Sequence, residues 1–196
     1  MAEFWKYKTP GIPDGLFARG NAPMTKEEVR ALTLSKLRLR GDEIIYDIGA
    51  GTGAIAIECA LLARDGKVYA IERDSEALGL IEVNKGLFGV ENLAVVKGEA
   101  PEVLKSLPPP DRVVIGGSGG RLEEIVEAVG NKLKSGDVIV INSVTLETLH
   151  TAVAVLERLG MGVEVTQVII AKGEKVGGVR LFRALNPVHI IAGVKR

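Results

Sequence analysis

The sequence predicts an α/β fold, a mostly parallel, doubly wound sheet that ends in an antiparallel, β-rich C-terminal extension. Three observations carry this. Short apolar runs alternate with longer amphipathic ones from residue 25 to residue 159, the pattern of a parallel sheet with helices on both faces. A glycine-rich segment, "YDIGAGTGAIAI" at residues 46–57, joins a strand-like run to a helix-like one. Residues 161–196 hold several strand-like stretches and no convincing helix.

Taken in order, residues 1–23 form a Pro/Gly-rich lead-in that carries half of the aromatic side chains. "TKEEVRALTLSKLRL" reads as a helix that Thr25 caps, with Glu28 completing a capping box. Strands are expected at 43–48, 67–72, 93–97, 112–115 and 138–142, and helices at 53–64, 75–88, 100–106, 121–134 and 146–159. Right-handed crossovers restrict the topology strongly. In the tail, "KGEKVGG" is expected to turn the chain between two strands, and Pro187 to interrupt the last. The chain of 196 residues suits one domain, residues 1–196, with 1–24 as an N-terminal segment and 161–196 as the β-rich tail.

Composition excludes several classes. The chain is 46% hydrophobic and 26% charged, enough apolar material for a full core. Its 25 basic and 25 acidic residues balance, so no global basic field favours nucleic acid. No apolar run reaches the roughly 18 residues of a membrane span, and the N-terminus does not read as a signal peptide. The single cysteine, Cys59, forms no internal disulfide, which fits a reducing cytoplasm. Cysteines, histidines and carboxylates nowhere show metal-ligand spacing. Cys59 and the two histidines, His150 and His189, read as structural side chains.

The turn at Asp47-Ile48-Gly49-Ala50-Gly51-Thr52-Gly53 follows the first strand, and ligands bind at the carboxyl ends of such strands. Glycines let the chain turn sharply and a ligand approach closely. Glu72 closes the next strand, placed to accept hydrogen bonds from ribose hydroxyls. Read as G-x-G-x-x-A, Gly49, Gly51 and Ala54 fit a dinucleotide fold. Read as acid-x-G-x-G-x-G, the segment resembles motif I of class I S-adenosyl-L-methionine methyltransferases, a Rossmann-like fold. Asp47 favours the second, because an acid there suits a cationic amino-acid ligand and has no evident use beside a pyrophosphate. Glu99 and Ala100 in "VVKGEAPEVL" stand where such methyltransferases edge the adenine. A second glycine turn, Gly116-Gly117-Ser118-Gly119-Gly120, follows the fourth strand, where they place the acceptor.

"GIPDGLF", "TKEEVRAL", "GEAPEVL", "GGSGG" and "NPVHIIAG", in that order, closely resemble the decarboxylating precorrin methyltransferases of cobalamin biosynthesis. The resemblance runs over nearly the whole chain. It implies methylation of carbon 15 of (cobalt-)precorrin-6B with loss of carbon dioxide from the ring-C acetate. A free-standing chain of this size lacks room for the fused domain that methylates carbon 5. The resemblance also implies a homotetramer, with the tail as a candidate interface. Matched residue by residue, the cofactor positions are Thr25, Gly49 to Gly53 and Glu72, where many relatives have Asp, and Ala100. The wide tetrapyrrole would lie against Gly116 to Gly120, with Arg121 offering a cation to one of its carboxylates.

No general acid is identified; Asp14 and Glu147 are candidates by type alone. Phe4 and Trp5 form either a lid or an anchor. Three other readings stay open: a class I methyltransferase acting on tRNA or protein, an NAD-binding oxidoreductase, and a non-catalytic S-adenosylmethionine-binding protein.

Overall fold

The computed structural model describes residues 5–196; Phe4 lies outside them. The elements are α1 (Glu27–Leu37), β1 (Ile44–Ile48), α2 (Ala54–Leu62), β2 (Lys67–Glu72), α3 (Ser75–Phe88), β3 (Leu93–Lys97), β4 (Arg112–Ile115), α4 (Leu122–Gly130), β5 (Val138–Ser143), α5 (Leu146–Arg158), β6 (Gly162–Val168), β7 (Ala171–Val176), β8 (Val179–Ala184) and β9 (Val188–Val194). Seven strands form one sheet in the order β3-β2-β1-β4-β5-β9-β6. The first five are parallel, and β9 runs antiparallel to both of its neighbours. Two of the four tail strands thus extend the main sheet. β7 and β8 pair only with each other among the described residues.

The central strands are nearly continuous apolar runs because helices cover both faces. Side chains from α1, α2 and α3 build the core on one face. Those from α4 and α5 build it on the other. α2 is apolar apart from Glu58, with every residue from Ala54 to Ala60 buried. Such a helix needs cover on both sides. The sheet supplies one cover and the N-terminal segment the other: Glu58 accepts the N–H groups of Gly11 at 2.7 Å and Ile12 at 3.0 Å.

Arg30 of α1 holds that segment down. Fully buried, it bonds Glu58, the Asp14 carboxylate at 3.1 Å, and the carbonyls of Ile12 and Thr25, with Phe17 4.9 Å from its guanidinium.

Asp74 caps α3 through the Ala77 N–H, 2.9 Å away, and Gly89 ends it at φ +63°. Thr25 does not cap α1: Lys26 holds that position without a side-chain cap, and the Thr25 carbonyl accepts from Arg30. The helix expected at 100–106 is a 3-10 turn, Glu102–Ser106, confined between Pro101 and the prolines at 108–110. α4 stops at Gly130, short of residue 134. In "KGEKVGG" only Gly177 and Gly178 turn; the rest is β7.

Trp5 packs edge-to-face on Tyr7 with ring centroids 4.8 Å apart, beside Gly41 and Asp65, which precede β1 and β2. It anchors the segment at the amino edge of the sheet and is not a lid over the carboxyl edge. Cys59 is a buried core residue as expected, but His150 faces solvent on α5. His189 is half-buried, its Nε2 3.2 Å from the Gln167 side-chain nitrogen.

Removing one partner of a buried ionic cluster strands the others, at about 3–5 kcal/mol. Arg30→Met is expected to lower the free energy of unfolding by about that amount in urea titrations. Arg158→Met, which breaks an exposed pair with Glu123 and Glu127, is expected to leave the midpoint in place.

Candidate functional site

In this strand order β1 and β4 are neighbours whose following chains leave in opposite directions, β1 towards α2 and β2, β4 towards α4 and β5. A crevice opens at such a switch point, outside the carboxyl ends of the strands. Both glycine turns lie there. The Gly116 N–H donates to the Ile48 carbonyl at 2.9 Å, and the Gly49 N–H to that of Ile71 at 2.9 Å.

The turns touch. A Cβ on Gly49 would stand 2.4 Å from the Gly117 carbonyl oxygen, and one on Gly51 2.4 Å from that of Pro23. Both glycines have positive φ, +70° and +56°. Their bareness is therefore required by neighbouring backbone, before any ligand is considered. Gly117 differs: its Cβ would meet nothing closer than 3.8 Å.

Beneath the turns lies a cavity of about 280 Å³. Its wall includes Thr25, Asp47, Gly49, Ala50, Gly51, Thr52, Glu72, Glu99 and Ala100 together with Gly116, Gly117, Ser118 and Gly119. The two turns thus bound one space. Gly53 stands off the wall; it opens α2 at φ +78°, with Ile81 3.1 Å from where its Cβ would be. Gly120 and Arg121 are also off it. Arg121 is no free cation, since Glu102 grips its two terminal nitrogens at 2.8 and 2.7 Å, and Glu124 holds it at 2.7 and 3.2 Å. Asp14 is tied to Arg30, with Lys26 and Arg19 also near, and Glu147 is exposed on α5; neither faces the cavity. Residue type in the sequence does not show the long-range partner, Arg30, that occupies Asp14.

Other wall residues carry no motif in the sequence. Pro23 arrives from the N-terminal segment, Ile71 and Ile125 supply apolar surface, and Arg73 follows β2. The position of Arg73, one residue beyond Glu72, was the only available signal.

Two polar groups on the wall are buried without a hydrogen-bond partner among the described residues, Asp47 Oδ1 and Thr52 Oγ1. Asp47 Oδ2 accepts the Ala56 N–H at 3.0 Å. Burial pushes the Asp47 carboxyl up to about 7, opposed by the Ala56 bond and assisted by the charge of Glu72. Glu72 organises its surroundings: Oε2 accepts the Gly51 N–H at 2.9 Å, and Oε1 those of Arg73 at 2.8 Å and Asp74 at 3.0 Å. Glu72 also lines the cavity.

A second hollow, of about 580 Å³, lies at the amino edge between residues 5–12 and the end of α2. It is larger, but it lies away from the strand ends where ligands bind in such sheets. The smaller cavity is the candidate site.

Over residues 16–195 the chain matches the precorrin methyltransferase domain. It is similar to a probable cobalt-precorrin-6B C(15)-methyltransferase (decarboxylating) from Pyrobaculum calidifontis, 47% identical over 95% of this chain and 97% of the relative. The Salmonella typhimurium cobalt-precorrin-6B C(15)-methyltransferase (decarboxylating) is 39% identical, over 92% of this chain and 94% of that one. Among solved structures, the precorrin-6y C5,15-methyltransferase from Geobacter metallireducens GS-15 superposes with a TM-score of 0.92 at 48% identity, covering 96% of this chain and 100% of the other.

The buried carboxyl makes stability depend on pH. Unfolded, Asp47 titrates near 3.8; folded, near 7. Between these values the folded chain holds a proton that the unfolded chain releases. Its contribution is full below pH 3.8 and declines as pH rises towards 7, by at most about 1.4 kcal/mol per pH unit. Asp47→Asn is expected to remove this slope in unfolding titrations between pH 4.5 and 7.5, and an unchanged slope would assign the proton elsewhere.

Proposed function

The chain belongs to the precorrin methyltransferase family, and we propose that it transfers a methyl group from S-adenosyl-L-methionine to carbon 15 of cobalt-precorrin-6B, or precorrin-6B, with loss of carbon dioxide from the ring-C acetate. Similarity over almost the full length of relatives so named supports the substrate. The single observation that carries the cofactor is Asp47, a buried carboxyl with one unpartnered oxygen on the cavity wall.

The residues present fit that cofactor. Asp47 Oδ1 and Thr52 Oγ1 would take up the amino-acid end, Asp47 accepting from the ammonium. Glu72 Oε2 would accept from a ribose hydroxyl. Glu99 and Ala100, at the end of β3, would edge the adenine, and Thr25 and the bare Gly49–Gly51 backbone would let it lie close. When bound, S-adenosyl-L-methionine supplies an already electrophilic methyl group. The chain therefore need not activate the methyl; it has to hold the acceptor carbon in line, roughly 3–3.5 Å away. The acceptor macrocycle supplies the electron pair for the new bond and takes up the pair left by the departing carboxyl. A cavity of about 280 Å³ holds one ligand of nucleoside size. The macrocycle accordingly rests on the rim formed by Gly116–Gly120, whose lack of side chains admits a broad ring.

The β7–β8 hairpin stands away from the main sheet, with Val176, Val179, Leu181 and Phe182 between 51% and 82% exposed. Such an arm seeks a partner, and we assign it to the interface of a homotetramer. The buried free thiol of Cys59 suits the cytoplasm. Among the described residues no helix is long and apolar enough to cross a membrane.

Mass spectrometry of a cobalt-precorrin-6B incubation is expected to show gain of a methyl group and loss of carbon dioxide; an unchanged mass refutes the reading. By calorimetry, S-adenosylhomocysteine should bind and NAD should not. Glu72→Ala is expected to weaken binding by about ten- to hundred-fold. Affinity should also fall as pH drops below about 7, since the ammonium needs the ionised form of Asp47.

Light scattering at micromolar concentration is expected to give a tetramer, and Phe182→Glu a smaller species of unchanged fold. A monomer in the unaltered chain would remove the hairpin from this role.

A further inference from the structure

Around the rim, charge is distributed unevenly. Three acidic residues, Asp47, Glu72 and Glu99, line the cavity, and among the described residues a single cation does, Arg73. Its backbone is set by Glu72, which accepts the Arg73 N–H. Its guanidinium reaches across the rim between the ends of β2 and β3 and the second glycine turn. On one side Nη1 donates to Glu99 Oε1 at 2.9 Å. On the other it is seated against Gly119: a Cβ built there would stand 3.2 Å from Nη1 and 3.4 Å from both Cζ and Nη2. The missing side chain of Gly119, at φ +58°, is thus the seat of the Arg73 guanidinium.

Two further features separate Arg73 from the other nearby cation. Arg121 is gripped by two carboxylates that occupy its donors, as described above. Arg73 has one carboxylate partner, through one nitrogen, and the two side chains are 58% and 45% exposed. An ion pair so open to water holds weakly and exchanges readily. A guanidinium fork matches a carboxylate in a bidentate manner that a single bond to Glu99 does not use.

We propose that Arg73 is a positioning residue for the acceptor: it exchanges Glu99 for a carboxylate of the macrocycle and so orients the ring over the cavity mouth. The proposal rests on the reading of the acceptor as a tetrapyrrole bearing acetate and propionate groups. The exchange swaps one carboxylate for another on the same cation, so no bond or proton is transferred. It takes place beside Gly119, where the rim is bare enough for a flat ring to reach the guanidinium. It also leaves Glu99 free to turn towards the nucleotide side of the same cavity.

The test uses the full-length chain and the variants Arg73→Gln and Arg73→Lys, with thermal unfolding confirming that each is folded. S-adenosylhomocysteine affinity is measured by calorimetry, and kcat and KM for cobalt-precorrin-6B at low and high salt. Arg73→Gln is expected to raise the acceptor KM about ten- to hundred-fold, with cofactor affinity within about threefold. The rise of KM with salt in the unaltered chain should flatten in that variant, because the screened charge is gone. Arg73→Lys should recover part of the loss and most of the salt dependence. Loss of cofactor affinity with an unchanged acceptor KM would place Arg73 in the nucleotide site and overturn the proposal. So would a variant unchanged in both. An unaltered chain that binds S-adenosylhomocysteine but turns over no tetrapyrrole would defeat the functional reading first, and the proposal with it.

Discussion

The contact between Gly49 and Gly117 is the constraint on which the site depends. β1 and β4 end side by side, and the chain must turn away from both at the same level. With a Cβ only 2.4 Å from the opposing carbonyl, any larger residue at position 49 would push the turns apart. That movement would shift Gly51 from Glu72 and the start of α2 from Asp47, so all three features of the crevice rely on one close approach. The second glycine turn is therefore partly a structural answer to the first. Gly49 is bare because Gly117 is there, and Gly119 holds a positive φ that favours glycine beside the Arg73 guanidinium, whereas Gly117 has open space and is free to serve a ligand.

A second dependence runs through Arg30. Its cluster with Glu58 and Asp14 fastens residues 11–25 across α2, and so delivers Thr25 and the Pro23 carbonyl to the cavity wall. Buried ionic clusters contribute little net stability compared with apolar packing of the same volume. Here the cluster specifies where an otherwise irregular segment lies. Asp14 thus matters to the site from a distance, through the segment it anchors, without facing the cavity.

Charge at the carboxyl edge follows the same division between structure and chemistry. Asp47 lies under the turns, buried enough for its carboxyl to titrate near neutrality and with an oxygen left over. Glu72 is largely occupied with backbone N–H groups and acts on both the loop and the ligand side. Arg121 is consumed by its neighbours, while Arg73 remains exchangeable. Residue type predicts none of these differences.

The class of sheet, the five parallel strands to within a residue, the switch-point glycine turn, and Asp47 and Glu72 beside it are legible in the chain alone. These are legible because they follow from local periodicity and from residues adjacent in the chain: an apolar run covered on both faces, an acid two residues before a glycine, a second acid closing the next strand. The folded chain alone shows that β9 inserts between β5 and β6, that both glycine turns share one cavity, that Arg121 is spent and that Arg73 is the rim cation. Each depends on groups far apart in sequence, such as Arg73 with Glu99 and Gly119, or Arg30 with Glu58. A side chain's availability is set by which partner the fold brings within about 3 Å of it, and chain spacing carries no record of that distance.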